Sequence, residues 1–125
     1  MDQYAVMGNP IGHSQSPRIH TLFAEQTGQA LEYRAIEVAE GGFADAVGAF
    51  RDGGGRGLNV TVPFKQEAWA LVDARSREAE RAGAVNTIAF RDDGLYGHNT
   101  DGIGLLRDIT VNLGLEVAGR RVLVL

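Results

Sequence analysis

Two hydrogen-bonding side chains and a lysine stand close together in Asn59-Val60-Thr61-Val62-Pro63-Phe64-Lys65, the stretch of this sequence richest in chemistry. The alternation of Leu58, Val60 and Val62 with Asn59 and Thr61 predicts a strand with one apolar and one polar face. Pro63 ends that strand. Lys65 then falls in the first turn of a helix carrying Phe64, Ala68, Leu71 and Val72 on one stripe, so strand and helix aim Asn59, Thr61 and Lys65 at one place. Convergent polar groups on an apolar frame are how a small-molecule site is built. An amine paired with a carboxylate, for which Asp101 is the candidate, can exchange a proton with a hydroxyl or ketone. Oxidation of an alcohol under general acid/base catalysis needs such a pair.

Three more clusters of small polar residues join this one. Ser14 and Ser16, two apart in an extended loop, can present both hydroxyls to one ligand. The free N–H groups of the helix that begins there suit a carboxylate. Asn86-Thr87 and Asn99-Thr100-Asp101 stand at the edges of expected strands, and asparagine offers a donor and an acceptor together, as polyols require. Each cluster also has a plainer reading. Ser16 can cap a helix and Ser14 make a turn, Lys65 can be a solvated helix-start lysine, Asp101 can cap the last helix, and Asn86 can satisfy backbone groups. Four such clusters plus one lysine argue for a site more strongly than any one alone. His13 and His20 are assigned to packing or solvent, because nothing in sequence supplies an orienting partner. Together with His98 they show no paired ligand spacing, so no metal is expected.

The elements that must position these residues follow from periodicity and turn chemistry. Tyr4 to Met7 reads as a strand stopped by Gly8, Asn9 and Pro10. A helix follows, with Ser16 as N-cap, Pro17 at its first position, Ile19, Leu22 and Phe23 as a buried stripe and Gly28 as its stop. Leu31 to Val38 predicts a second strand, and Phe43, Val47 and Phe50 a second helix. Asp52 to Gly57 reads as an exposed loop before the strand over 58–62 and the helix over 64–72. A polar helical segment spans Ser76 to Arg81. Ala84 to Arg91 reads as a strand, turning through Asp92, Asp93 and Gly94 into Leu95 and Tyr96. From Gly102 a last helix should turn Ile103, Leu106, Ile109 and Leu113 inward and stop at Gly114. Arg120 to Leu125 reads as a buried parallel strand cut off at its carboxyl end.

The sequence has 125 residues with no cysteine, a net charge of -4, 44% hydrophobic and 22% charged residues. That suits one core of ordinary size and excludes disulfides, thiolate metal sites and cysteine nucleophiles. The negative balance disfavours a nucleic-acid surface. No segment approaches the roughly 20 apolar residues of a membrane span. Met1-Asp2-Gln3-Tyr4 lacks a secretory n-region, so a cytoplasmic location is expected. The 17 glycines are about twice the usual share and point to tight turns and close backbone approach.

The clusters, taken in order, resemble shikimate dehydrogenase. The matching segments are Gly8-Asn9-Pro10-Ile11-Gly12-His13-Ser14-Gln15-Ser16-Pro17, Asn59 to Lys65, Ala82-Gly83-Ala84-Val85-Asn86-Thr87, and Asn99-Thr100-Asp101-Gly102. The resemblance implies an NADP-dependent oxidoreductase interconverting 3-dehydroshikimate and shikimate, on the way to chorismate and aromatic amino acids. It also implies roles. Ser14 and Ser16 bind the substrate carboxylate; Asn59, Thr61, Asn86 and Asp101 hold its ring hydroxyls; Lys65 is the catalytic lysine, paired with Asp101. The implied fold is α/β with a mostly parallel sheet flanked by helices, followed by a connecting helix and the first strand of a Rossmann domain. On this reading residues 1–102 form the substrate domain and 103–125 the truncated start of the NADP domain, whose glycine-rich loop lies beyond Leu125. No role passes to Arg77 or Glu78. A 125-residue piece is then expected to be inactive alone, and the intact protein a monomer or homodimer. Two alternatives stay open: a quinate/shikimate dehydrogenase using NAD, and a non-catalytic module binding a small polyhydroxy acid.

Overall fold

Aromatic and β-branched runs punctuated by glycine and proline become strands, and apolar residues at helical spacing become helices. Over residues 1–125 the computed structural model alternates β1 (Asp2–Gly8), α1 (Ser16–Thr27), β2 (Leu31–Glu37), α2 (Phe43–Asp52), β3 (Gly55–Val60) and α3 (Lys65–Leu71). It continues with β4 (Ala74–Arg75), α4 (Arg77–Ala82), β5 (Thr87–Arg91), β6 (Gly94–His98) and α5 (Asp101–Arg107), then a π-helical turn over Asp108–Asn112. The strands form one sheet in the order β2-β1-β3-β5-β6-β4. β1 pairs in parallel with β2 and β3, β4 pairs in parallel with β6, and β5 runs antiparallel to both β3 and β6. Every strand but β5 therefore points the same way, and the expected mostly parallel α/β sheet is present.

From β1 the chain crosses through α1 to β2 on one side, then returns through α2 to β3 on the other. The strand order reverses between β1 and β3, and at such a point the loops leaving the carboxyl ends diverge and open a crevice. Ala5, Met7, Leu58, Val60 and Ile88 on one sheet face pack with Phe43, Val47 and Phe50 of α2, with Phe64 and Ala68 at the start of α3, and with Ala79 of α4. The rings of Phe43 and Phe64 stack at 5.1 Å, so the residue next to Lys65 is anchored in the core. The opposite face has a much smaller core of Val6, Ile11 and Tyr33.

Several expectations change. The glycine run is not wholly an exposed loop, because Gly55 and Gly57 are buried members of β3. A Cβ on Gly55 would meet the Phe50 ring at 2.5 Å, and one on Gly57 the Ile88 carbonyl oxygen at 2.8 Å, so these glycines serve close packing rather than turning. β3 stops at Val60, and Val62 is exposed instead of completing an apolar face. β5 starts at Thr87 rather than Ala84, and the two-residue β4 beside β6 has no counterpart in the sequence reading.

The stripes expected to be buried on α1 and α5 are open. Ile19, Leu22 and Phe23 are exposed, with Ala24 the one buried residue of α1, and Ile103, Leu106 and Leu113 are exposed too. Periodicity marks a face that favours cover, and residues 1–125 do not supply that cover. Arg120 to Leu125 forms no strand, for no neighbouring strand offers it hydrogen bonds, and Val122 to Leu125 are exposed. No helix is long and apolar enough to cross a membrane.

Gly57→Ala tests the close approach of β3 to β5. The obstructing atom is backbone, which cannot swing away as a side chain would, so we expect a loss of about 1–3 kcal/mol as a lowered denaturation midpoint. An unchanged midpoint would mean that the two strands can part without cost.

Candidate functional site

Backbone hydrogen bonds gather the polar clusters at one edge of the sheet. Thr61 N–H donates to Met7 O at 2.9 Å, and Asn9 N–H to Val62 O at 3.0 Å, tying the loop after β1 to the end of β3. Val60 N–H reaches Asn86 O at 2.8 Å, Asn86 N–H reaches His98 O at 3.1 Å, and Val85 N–H reaches Lys65 O at 2.9 Å. The carboxyl ends of β3 and β6, the start of β5 and the first turn of α3 therefore meet.

Lys65 opens α3 as expected, held by the fully buried Phe64 before it and Ala68 after it. Its Nζ donates to Asp101 Oδ2 at 2.7 Å. Asp101 is the first residue of α5, and its backbone N–H is fixed at 2.9 Å by Oδ1 of the buried Asn99, whose Nδ2 donates to Ala84 O at 3.1 Å. Buried polar side chains persist where their bonds are made. Asn99 satisfies that condition and fixes the backbone from which the carboxylate projects.

Asn86 completes the arrangement. Its Nδ2 donates to Asp101 Oδ1 at 3.1 Å and to Thr100 Oγ1 at 2.8 Å, while its Oδ1 accepts from Thr100 N–H at 3.1 Å and from the Thr87 hydroxyl at 3.0 Å. The plainer reading of Asn86 is met, since its side chain accepts from the Thr100 backbone N–H, and the same side chain also donates to the Asp101 carboxylate. Asn59 lies one step further along, its Nδ2 3.1 Å from Thr87 Oγ1 and 3.3 Å from Asn86 O.

At the other end, Ser16 is the first residue of α1 rather than its cap. Gln15 occupies the cap position, and Ser14 Oγ accepts from Ser16 N–H at 3.2 Å. Pro17 is accordingly the second residue of the helix, one position later than expected, and Gly28 closes the helix at φ 67° as expected. Ser14 and Ser16 are both half-buried. Thr61 is half-buried past the end of β3 and packs against Gly8, where an added Cβ would meet its Cγ2.

The sequence reading missed Tyr33. Its hydroxyl donates to Asn59 Oδ1 at 2.7 Å. Burial pushes the phenol well above its ordinary value, against a smaller opposing effect of a hydrogen bond with the Ser16 side chain. His20 stacks on the Tyr33 ring at 4.2 Å with its Nδ1 3.0 Å from Ser16 O, in keeping with a packing role. Alternation in 31–37 could have flagged Tyr33 as inward-facing, but not where its hydroxyl goes. A cleft of about 390 Å³ on the α1 face is lined by Tyr4, His20, Tyr33, Asn59 and Thr87 among others, and the Lys65–Asp101 pair stands outside it at the sheet edge.

No group of three or more His, Asp or Glu side chains converges as a metal site. Within the chain Lys65 Nζ has Asp101 as its hydrogen-bond partner, and a lysine amine carries up to three donors. The geometry therefore offers a hydroxyl-bearing ligand an amine and a carboxylate side by side, with an amide orienting the carboxylate.

The family described as the shikimate dehydrogenase substrate binding domain matches residues 6–88. The chain is 58% identical to a shikimate dehydrogenase (NADP(+)) of Hahella chejuensis, over 98% of this chain and 46% of the relative. It is 61% identical to that of Alkalilimnicola ehrlichii, over 99% and 46%. It thus spans about half the length of the curated relatives it matches. Among solved structures, an Ael1 enzyme from Pseudomonas putida superimposes with TM-score 0.89 at 51% identity, over 91% of this chain and 42% of that one. The shikimate 5-dehydrogenase of Thermus thermophilus, solved with NADP(H) and shikimate, gives 0.86 at 35% identity, over 93% and 44%.

Proposed function

The chain belongs to the shikimate dehydrogenase substrate-binding domain family, and from that premise we propose that it binds substrate for a cytoplasmic, NADP-dependent interconversion of 3-dehydroshikimate and shikimate. Residues 1–102 would form the substrate domain and 103–125 the link toward a nucleotide domain. The observation carrying this reading is the 2.7 Å contact between Lys65 Nζ and Asp101 Oδ2 at the open edge of the sheet. An exposed ion pair contributes only about 0.2–1 kcal/mol to stability, so the fold gives little reason to keep one here.

In this proposal Ser14 and Ser16 hold the substrate carboxylate at the positive end of α1, and Thr61, Asn59, Asn86 and Asp101 hold ring hydroxyls, Asn86 by exchanging its Nδ2 bond to Thr100 Oγ1 for one to the ligand. Both amide hydrogens of Asn59 are engaged within the chain, and one lone pair of its Oδ1 remains to accept from a ring hydroxyl. Oxidation of a secondary alcohol removes a hydride from carbon and a proton from oxygen. NADP, when bound, supplies the hydride acceptor. Lys65 and Asp101 take the hydroxyl proton, and return it to the ketone oxygen in the reverse direction. None of the strands here runs into a G-x-G-x-x-G turn, the usual cradle for a dinucleotide pyrophosphate, so no residue of this chain is assigned to the cofactor.

The test is cofactor reduction by the full-length protein, with shikimate or quinate as substrate and NADP or NAD as acceptor. The proposal expects shikimate with NADP to give the highest kcat/KM. Preference for quinate or NAD would replace it with the broader dehydrogenase, and shikimate binding without turnover would replace it with a non-catalytic binding module.

A further inference from the structure

We propose that Tyr33 is a positioning residue for the Lys65–Asp101 pair, acting through Asn59, Thr87 and Asn86; this rests on the function proposed above. The hydrogen-bond partners leave one direction open to the whole series, which can be worked out from its charged end. An ionised Asp101 carboxylate only accepts. Asn86 must therefore turn Nδ2 toward it, at 3.1 Å, and Oδ1 toward Thr100 N–H, which only donates, at 3.1 Å. Two fixed groups thus require the same orientation of one amide. The Thr87 hydroxyl gives its single hydrogen to Asn86 Oδ1 at 3.0 Å, so toward Asn59 its oxygen can only accept. Asn59 then presents Nδ2 to Thr87 Oγ1 and to the Asn86 carbonyl, leaving Oδ1 for Tyr33. Tyr33 has to donate, and does so at 2.7 Å.

Tyr33 thus holds the far end of a directed series whose near end is the carboxylate beside Lys65. Take the phenol hydrogen away and Asn59 Oδ1 loses its donor. Only the longer, 3.3 Å bond to the Asn86 carbonyl then holds the amide; as it tilts away from Thr87 Oγ1, Thr87 can turn its hydrogen toward Asn59, and Asn86 loses one of the bonds that aim it at Asp101. Small displacements of reacting groups cost rate more than binding. The ring of Tyr33 is not needed for this, only its hydroxyl.

Tyr33→Phe in the full-length protein keeps the ring stacked on His20, and Thr87→Val keeps the shape of the middle link. Each is expected to lower kcat for shikimate about 10-fold, with KM rising by a smaller factor because Asn59 is also proposed to hold a ring hydroxyl. Thr87→Ser, which restores the hydroxyl, is expected to stay within about 2-fold of wild type. The double variant Tyr33→Phe/Thr87→Val should be no worse than the poorer single one, as for two links of one series. Side-chain amide NMR signals of Asn86 should shift in Tyr33→Phe, though the two residues share no hydrogen bond. Multiplying effects, wild-type kcat in Tyr33→Phe, or unmoved Asn86 signals would each overturn the proposal. If the wild-type protein does not oxidise shikimate, the proposed function falls, and the Asn86 signals alone decide whether Tyr33 governs the amide.

Discussion

Lys65→Ala is expected to lower kcat for shikimate oxidation about 10²- to 10⁴-fold, the range associated with losing a positioned proton-transfer group, while shikimate binding weakens far less. That factor corresponds to about 3–5.5 kcal/mol of barrier. Stability should hardly respond. The Lys65 and Asp101 side chains are 31% and 52% exposed, and pairs this open contribute on the order of 0.2–1 kcal/mol. Phe64 and Ala68, both fully buried, hold the start of α3 without help from the amine. Steady-state kinetics, calorimetric titration with shikimate and a thermal melt on the full-length variant separate the three quantities. Retained turnover would remove Lys65 from the proposed chemistry.

Asp101→Asn is expected to cost kcat on the order of 10²-fold with little change in fold. The carboxylate accepts from Lys65 Nζ at 2.7 Å and from Asn86 Nδ2 at 3.1 Å. An asparagine has one oxygen to offer, so its NH2 group must face one of two donors. Either the amine or the amide loses its partner. The backbone at 101 stays in place because Asn99 holds its N–H. Since Lys65 and Asp101 are proposed to act as a unit, the double variant Lys65→Ala/Asp101→Asn should be about as slow as the worse single one. A product of the two separate losses would show that they work independently.

Much of the frame was legible because its signals are local. The run Tyr4 to Met7, stopped by Gly8, Asn9 and Pro10, marked β1, Leu31 to Val38 marked β2, Asp92-Asp93-Gly94 marked a hairpin, and Pro63 marked the break that leaves Lys65 at the head of a helix. The convergence of Lys65 with Asp101, 36 positions apart, was inferred from chemistry and from resemblance, and the geometry brings the two into contact. What failed has physical causes. A run of glycines beside Asp52 and Arg56 looks like a turn, yet Gly55 and Gly57 sit where Phe50 and the Ile88 carbonyl leave no room for a side chain. An apolar stripe tells which side of a helix favours burial, not whether the burying surface is near, and so α1 and α5 were misjudged. Tyr33 was missed because a strand tyrosine looks like core; its partner Asn59 is 26 residues away.

The lone reversed strand has a practical consequence. Because β5 opposes its neighbours, the β5–β6 hairpin brings both open ends to the proposed site, Asn86 and Thr87 at one tip and His98 to Asp101 at the other. Its turn at Asp92 and Asp93 lies a strand length away, about 17 Å. The hairpin works like a pair of tongs gripped from behind, and those two aspartates are where a fluorophore or surface tether could be attached without crowding the jaws.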